Sequence, residues 1–274
     1  MSDPLLQLLG AGGIRVFDLG RPMFVGMPQS PNHPEYRHSL PRRHGDGVRA
    51  DGGSAANDLI VTGTHVGTHI DGLAHVSHCG ELYGGVSAAE VQMGGRFSQH
   101  GMETVAPMVC RGVLLDVPAA LGVPACDPAY EITPDDLDAC VERQETPVRA
   151  GDVVLVRSGW GQLWDNGPAY LGRESGVPGV GDRGAKWLAA AEVRAAGADT
   201  IAFEHLPAGQ GHAVLPAHRV LLVEHGIHII ESLALEELAA AGVHEFVSVL
   251  SPLKLVGATG SPVRPIAIAS GTDG

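Results

Sequence analysis

The sequence predicts a mixed α/β fold that forms a single domain over residues 1–274. Strand-like apolar runs alternate with helix-like segments along most of the chain, which favours strands and helices packed in layers. No internal repeat, linker or low-complexity stretch divides the chain. Thirty-eight glycines and nineteen prolines, against only 4% aromatic residues, indicate many turns and long shaped loops.

The first half of the chain is mostly extended. Runs rich in Val, Ile, Leu and Thr predict strands or extended segments at 14–20, 57–70, 111–117 and 152–157. A proline-rich segment follows the first run, and its prolines predict a long irregular loop. Thr133 as N-cap and Pro134 at the first helical position predict a helix that ends near Arg143.

The alternation continues in the second half. We expect a helix over 186–197 closed by Gly197, and a helix over 233–242 between Ser232 as cap and Gly242. Strands are predicted at 199–204, at 226–231 and in several runs after residue 245.

Composition excludes several classes of protein. The formal net charge of −13 opposes nucleic-acid binding, because it repels a polyanion. No window approaches the roughly 18 uninterrupted apolar residues of a membrane span, and the N-terminal segment lacks the basic start of a signal peptide. We therefore expect a cytoplasmic protein with no membrane partner.

The four cysteines do not suggest a metal site. Cys79, Cys110, Cys126 and Cys140 stand far apart and form no C-x-x-C pair. We expect reduced and mostly buried thiols.

Histidines concentrate in one short segment. An even spread of the fourteen histidines predicts fewer than one in a fourteen-residue window, yet His65, His69, His75 and His78 fall within one. In a straight strand, His65 and His69 would lie about 13 Å apart. That separation is too large for two nitrogens that each lie about 2.1 Å from one metal.

A bent segment resolves this difficulty. Gly63 and Gly67 permit a bend that lets His65, His69 and Asp71 converge, and these three groups form the open ligand set of a catalytic metal site. The alternative is a histidine-rich surface loop with no specific ligand. His75 remains open as a ligand, a general base or a packed core residue, and we expect His78 to be a bystander.

The run from His65 to His75 resembles the signature H-x-G-T-H-x-D-x-P-x-H of the putative cyclase family, with Leu73 where the signature has proline. This family includes kynurenine formamidase, isatin hydrolase and a dienelactone hydrolase. Further similarity lies in RGVLLDV, DVVLVRSGW, PAHRVLLVEHGIHIIESL and PLKLVGATGSPVRPIAI. The resemblance implies a swivelling β/β/α fold with a mixed sheet, and a zinc or manganese ion held by His65, His69 and Asp71.

Some members of the family hold a second metal, which would fall here on His218 and Glu231 with Asp71 shared. On sequence alone, Glu231 is favoured because it ends a predicted strand, where α/β sheets expose functional groups, and the alternative is an acid that flanks a helix. His218 is ambiguous. His225 and His228 form a competing pair inside a predicted apolar strand, and we expect them to be structural.

The expected reaction is hydrolysis of a small cyclic or N-formyl aromatic amide by metal-activated water, with His75 as general base. A lactone hydrolase, or an isomerase or cyclase that uses the same metal site, is the alternative, as is a non-catalytic metal-binding protein. No G-x-S-x-G or H-E-x-x-H motif supports another hydrolase class. We expect a small-molecule substrate and a homo-oligomer, a dimer or tetramer.

Overall fold

The computed structural model describes residues 13–271, whose main feature is a mixed β-sheet of nine strands. The strands lie at Ile14–Asp18 (β1), Arg37–Arg42 (β2), Asn57–Val61 (β3), His69–Asp71 (β4), Glu81–Leu82 (β5), Val86–Ser87 (β6), Gln92–Met93 (β7), Arg96–Phe97 (β8), Met108–Asp116 (β9), Glu131–Ile132 (β10), Val153–Arg157 (β11), Gly179–Val180 (β12), Ala195–Ala198 (β13), His228–Glu231 (β14), Glu245–Leu250 (β15), Gly260–Pro262 (β16) and Ile266–Ser270 (β17).

The helices are short. They lie at Ala88–Val91 (α1), Val117–Leu121 (α2), Pro134–Gln144 (α3), Gly167–Leu171 (α4), Asp182–Ala190 (α5), Pro216–His218 (α6) and Glu236–Ala240 (α7), with 3₁₀ turns at Tyr83–Gly85, Met102–Thr104 and Trp160–Leu163 and a π-helical segment at Arg219–Glu224. Within residues 13–271, none of them has the length and apolar character needed to cross a bilayer.

The large sheet has the order β1-β17-β15-β9-β11-β13-β14-β4-β16. Its four central strands, β9, β11, β13 and β14, run parallel, and both outer groups pair antiparallel to them. This arrangement places β4 directly beside β14, so that the histidine-rich segment lies next to Glu231. The remaining strands form separate two-stranded pairs.

The core lies on both faces of the central strands. Alternate residues of β11 enter different apolar clusters: Val154 and Val156 pack on one face, and Val153 and Leu155 on the other. The strands are therefore apolar on both faces, as expected for buried parallel strands. A third cluster packs the proline-rich segment against the loops after β11 and contains Tyr36 and Trp160.

The mixed α/β prediction is confirmed, and so are most of its elements. The strands predicted from 14, 111, 152 and 226 appear as β1, β9, β11 and β14, and strands also form after residue 245. Thr133 caps α3 as expected, because its side chain accepts from the Asp136 N–H while Asp136 accepts from the Thr133 N–H.

The prediction over 186–204 is wrong. Helix α5 ends at Ala190, and Gly197 lies inside strand β13 instead of closing a helix. A Cβ atom at Gly197 would lie 2.8 Å from Leu233 Cδ1 and 2.9 Å from Leu155 Cδ2, so a small residue is required between these neighbours. Residues 199–204 form a loop rather than a strand, because the buried Asp199 carboxylate accepts from the N–H groups of Ser158 and Gly159.

Two smaller predictions also need correction. Ser232 does not cap a helix: its φ is 55°, and α7 begins four residues later at Glu236. The thiols are free as expected, but only Cys126 and Cys140 are buried, whereas Cys79 is exposed.

Candidate metal centre

The segment between β3 and β4 is bent, and the bend brings three polar side chains together. Gly67 has a φ of 68°, a left-handed conformation that glycine adopts without strain. His65, His69 and Asp71 are all buried. The neighbouring strand leaves room for this arrangement, because a Cβ atom on Gly260 would lie 2.8 Å from His65 Nε2.

Asp71 is at the centre of the cluster and is fully buried. Its Oδ1 atom lies 2.7 Å from His65 Nδ1 and 3.4 Å from His69 Nε2. Its Oδ2 atom lies 3.7 Å from His218 Nε2 and has no hydrogen-bond partner within residues 13–271. One carboxylate therefore faces three imidazoles.

Glu231 closes the cluster from strand β14. It is paired in register with His69 on β4, so the two side chains leave the sheet at the same level. His69 Nε2 lies 3.3 Å from Glu231 Oε2, and His218 Nε2 lies 3.2 Å from Glu231 Oε1. The five residues predicted as metal ligands are thus brought together by three separate parts of the chain.

Two hydrogen bonds orient the imidazoles. His69 Nδ1 lies 2.8 Å from the Gly67 carbonyl, and His218 Nδ1 lies 2.8 Å from Glu204 Oε2. Both acceptors favour a proton on Nδ1, so Nε2 of each ring is the atom directed at the cluster and the one that a metal would use. Sequence reasoning missed Glu204, since it lies in the segment mistaken for a strand.

His75 lies beside the cluster, and its ring stacks on that of His65 with centroids 3.7 Å apart. Burial lowers the pKa of His75 to about 4, although Asp71 opposes this effect. The imidazole is therefore neutral at pH 7. His33, from the proline-rich segment, stacks on the His65 ring at 5.4 Å. Sequence reasoning predicted a long irregular loop there but did not single out this residue.

The other histidines lie outside this arrangement. His78 is exposed and pairs through its backbone with Glu81, as expected for a bystander. His225 is exposed after the π-helical segment and not inside a strand. His228 does lie on β14, with Nδ1 2.9 Å from the carbonyl oxygen of Asp71, so it supports the backbone of the cluster.

The charges of the cluster favour a cation. Burial alone would raise the pKa of Asp71, but His75, His65 and His69 hold it well below its usual range. Burial opposes the charged form of His69 too, yet Asp71 and Glu231 raise its pKa to about 10. Two buried carboxylates thus draw positive charge into the site, and a divalent ion supplies such charge.

The donor set fits a divalent metal. Two groups of side chains each bring three candidate donor atoms within 4.8 Å of one another: His65, Asp71 and His75 form one, and His69, Asp71 and Glu231 form the other. Both groups contain Asp71, whose Oδ2 atom is buried without a partner in the described part of the chain. Imidazole and carboxylate donors suit zinc and manganese among other ions.

A mixed sheet that holds a buried histidine and carboxylate cluster defines an α/β protein with the donor set of a metal-dependent enzyme. A family model described as Putative cyclase matches residues 17–205, and the chain belongs to this family. The resemblance inferred from the histidine signature is confirmed, and so is the fold class.

Comparison with known proteins supports the same assignment. Isatin hydrolase of Roseibium aggregatum is 25% identical over 222 residues, which cover 80% of this chain and 77% of that protein. A crystal structure described as a novel cyclase is 27% identical, with a TM-score of 0.83 over 97% of this chain and 93% of that one. Isatin hydrolase A from Ralstonia solanacearum shares the fold at 23% identity, with a TM-score of 0.74 over 98% of each chain.

The prediction of a hydrolase is confirmed at the level of enzyme class.

Proposed function

We propose that this chain is a metal-dependent hydrolase that cleaves the amide bond of a small cyclic or N-formyl aromatic amide. The buried cluster around Asp71 is the observation that carries the proposal, because it combines metal donors with a neutral imidazole at its edge. The relatedness to isatin hydrolase, whose name states a cyclic amide substrate, supports the substrate class.

In this proposal His65, His69 and Asp71 would hold a zinc or manganese ion. His218 and Glu231, together with Asp71, would hold a second ion in a two-metal form of the centre. A divalent metal bound here would lower the pKa of water toward neutrality and polarise a carbonyl group. Glu204 and the Gly67 carbonyl keep the Nε2 atoms of His218 and His69 directed inward.

His75 transfers the proton. Its neutral imidazole accepts a proton from the attacking water and then donates one to the departing nitrogen, a role that contributes roughly 10²–10⁴-fold to rate. The stacked His65 ring fixes its position. His75 also lies within one of the two donor groups, so an experiment must distinguish a general base from a metal ligand at this position.

We propose that a cavity of about 320 Å³ receives the substrate, because one of its lining residues, His212, lies close enough to Glu231 and His218 for their charges to act on its pKa. It is bounded by Ser30, Pro31 and Asn32, which directly precede His33, and by residues 209–212. Leu171, Ile201 and Leu206 give it apolar walls. This volume lies at the small end of the range for ligand pockets, which suits a compact aromatic amide.

Metal analysis tests the centre. Purified protein should contain at least one zinc or manganese ion per chain, and a chelator should abolish activity that added metal restores. His65→Ala and Asp71→Ala should lose metal, whereas His78→Ala, a change at an exposed histidine, should not. Full activity in chelator without stoichiometric metal would refute the proposal.

A substrate panel tests the reaction. Isatin, N-formylkynurenine, simple aryl formamides and a dienelactone should be offered to the zinc-loaded and manganese-loaded enzyme. We expect a cyclic or formyl amide to be cleaved fastest, because His75 can protonate a departing nitrogen. Cleavage of the lactone alone would replace the amide assignment, and no turnover at all would favour an isomerase, a cyclase or a binding protein.

We also propose that the protein is a homo-oligomer, a dimer or tetramer, in the cytoplasm. The four free thiols suit a reducing compartment. Mass measurement in solution and fractionation of cells that express the protein test these two statements.

A further inference from the structure

A second cavity, of about 760 Å³, lies where the parallel strands of the large sheet begin. Among its lining residues, Met108 opens β9, Arg194 directly precedes β13 and His228 opens β14. Glu231, which contacts the histidine cluster, stands at the other end of β14. Three residues of strand separate the two ends, which corresponds to about 10 Å. The cavity is therefore distinct from the cluster around Asp71.

Two side chains of opposite charge line this cavity without a partner. The Glu192 carboxylate and the Arg194 guanidinium make no hydrogen bond or ion pair within residues 13–271, either with each other or with a third group. Both residues bond only through their backbones. The Glu192 carbonyl accepts from Gly151 N at 2.9 Å, and the Arg194 N–H donates to Asp152 O at 2.8 Å. An occupant that carries both charges would satisfy the two side chains together.

His228 connects the cavity to the metal centre. Its Nδ1 atom lies 2.9 Å from the carbonyl oxygen of Asp71, and because a carbonyl oxygen only accepts, Nδ1 carries a proton. The Nε2 atom has no hydrogen-bond partner in the described part of the chain, so it is left for an occupant of the cavity. A single hydrogen bond thus links this wall of the cavity to the backbone of the cluster.

Much of the remaining wall is apolar. Met108, Val193 and Ile227 line the cavity and are buried. A free α-amino acid offers a carboxylate to Arg194, an ammonium group to Glu192 and an apolar side chain to this wall. A purely anionic ligand such as phosphate would instead bring a second negative charge close to Glu192. The volume lies within the range of about 300–1,000 Å³ for small-molecule sites.

We propose that this cavity binds a free α-amino acid with an apolar side chain, as a ligand separate from the substrate. Arg194 holds the carboxylate and Glu192 holds the ammonium group, so both polar contacts join ionised groups. The apolar wall receives the side chain. This binding is independent of the reaction proposed above, because neither charged residue belongs to the cluster around Asp71.

Calorimetric titration of the intact protein tests the class of ligand. The probes are L-leucine, L-methionine and L-phenylalanine, and at least one of them should bind. Its N-acetyl derivative lacks the ammonium charge and its amide lacks the carboxylate, so each should bind about tenfold more weakly or less tightly still. Failure of all the amino acids to bind, or undiminished affinity for either derivative, would overturn the proposal.

Substitutions test the position of the site. Arg194→Gln and Glu192→Gln change exposed side chains, and each should weaken binding about tenfold with metal content and the denaturant midpoint unchanged. Glu142→Gln and Arg143→Gln, at neighbouring exposed residues of α3, are matched controls and should bind as wild type does. Hydrogen exchange at residues 225–228 should slow when the amino acid binds. Wild-type affinity in both cavity variants would place the ligand elsewhere, for example on the metal, and would refute this site.

Discussion

Replacing Glu204 by glutamine isolates the residue that orients one proposed metal ligand. Glu204 is fully buried, and its carboxylate accepts from three N–H groups: Ala217 N at 2.6 Å, His218 N at 3.2 Å and His218 Nδ1 at 2.8 Å. Glutamine has almost the same shape, but it offers only one oxygen and adds an NH₂ donor. Both oxygens of Glu204 accept hydrogen bonds, so in either orientation the NH₂ group of the glutamine faces at least one of these N–H groups, and two donors meet.

The expected loss follows from these contacts. A hydrogen bond to a charged group contributes about 1.5–3 kcal/mol, so Glu204→Gln should lower the free energy of unfolding by roughly that amount. If the amide nitrogen faces His218, the ring is driven to protonate Nε2, the atom that points at Glu231. Loss of such an orienting carboxylate typically weakens metal binding about 10–100-fold.

Metal affinity should be measured by competition with a chromophoric chelator, and stability by denaturant unfolding. Glu236→Gln is the matched control, since Glu236 is likewise a carboxylate that accepts from a partly buried donor, Arg21 Nη2 at 3.1 Å, and it makes no hydrogen bond to His218. We expect weaker metal binding only in Glu204→Gln. Equal metal affinity in both variants, with the fold intact, would refute the orienting role of Glu204.

Three further results are expected. His75→Asn should keep the metal and lower kcat by about two orders of magnitude, and loss of metal would make His75 a ligand instead. Cys79 should react with a thiol reagent in the native protein. Cys126 and Cys140 should react only after unfolding, because burial raises the pKa of each thiol to about 12. Labelling of Cys126 or Cys140 in the native protein would contradict their burial. Gly197→Val should lower the free energy of unfolding by about 1–3 kcal/mol through overpacking against Leu155 and Leu233, and an unchanged denaturant midpoint would argue against this tight contact.

Local chemistry explains which elements could be predicted from the sequence. Strand β11 is a continuous β-branched and leucine run, and α3 has a capping box, so both carry their signals within a few residues. Strand β13 has the sequence AAGA, which carries no strand signal. Strands β11 and β14 pair with it on either side, and the close packing there requires small residues. A pattern read over a few residues of sequence does not contain these long-range contacts, so it does not predict the strand.

The same division applies to the site. The spacing of His65, His69 and Asp71 excluded a straight strand, and the observed bend at Gly67 agrees with that reasoning. Glu204 carries no signal, because its partner His218 is fourteen residues away and the loop between them has no regular period. The division of the donors into two groups around Asp71 likewise depends on side-chain positions that only the fold defines.

Two residues beside the histidine and carboxylate cluster have backbone conformations that cost free energy. Phe203 and Ser232 have φ values of 56° and 55°, and they directly adjoin Glu204 and Glu231. A residue other than glycine in the left-handed region costs of the order of 1–3 kcal/mol and persists only where its surroundings fix it. Phe203 is held by the apolar core, and Ser232 by its N–H bond to Thr200 O at 2.9 Å and by the Tyr170 hydroxyl at 3.2 Å. The packing that stabilises the fold therefore also holds these two residues in their strained conformations. Ser232, whose left-handed conformation makes it unsuitable as a helix cap, immediately follows Glu231, the carboxylate that faces His69 and His218.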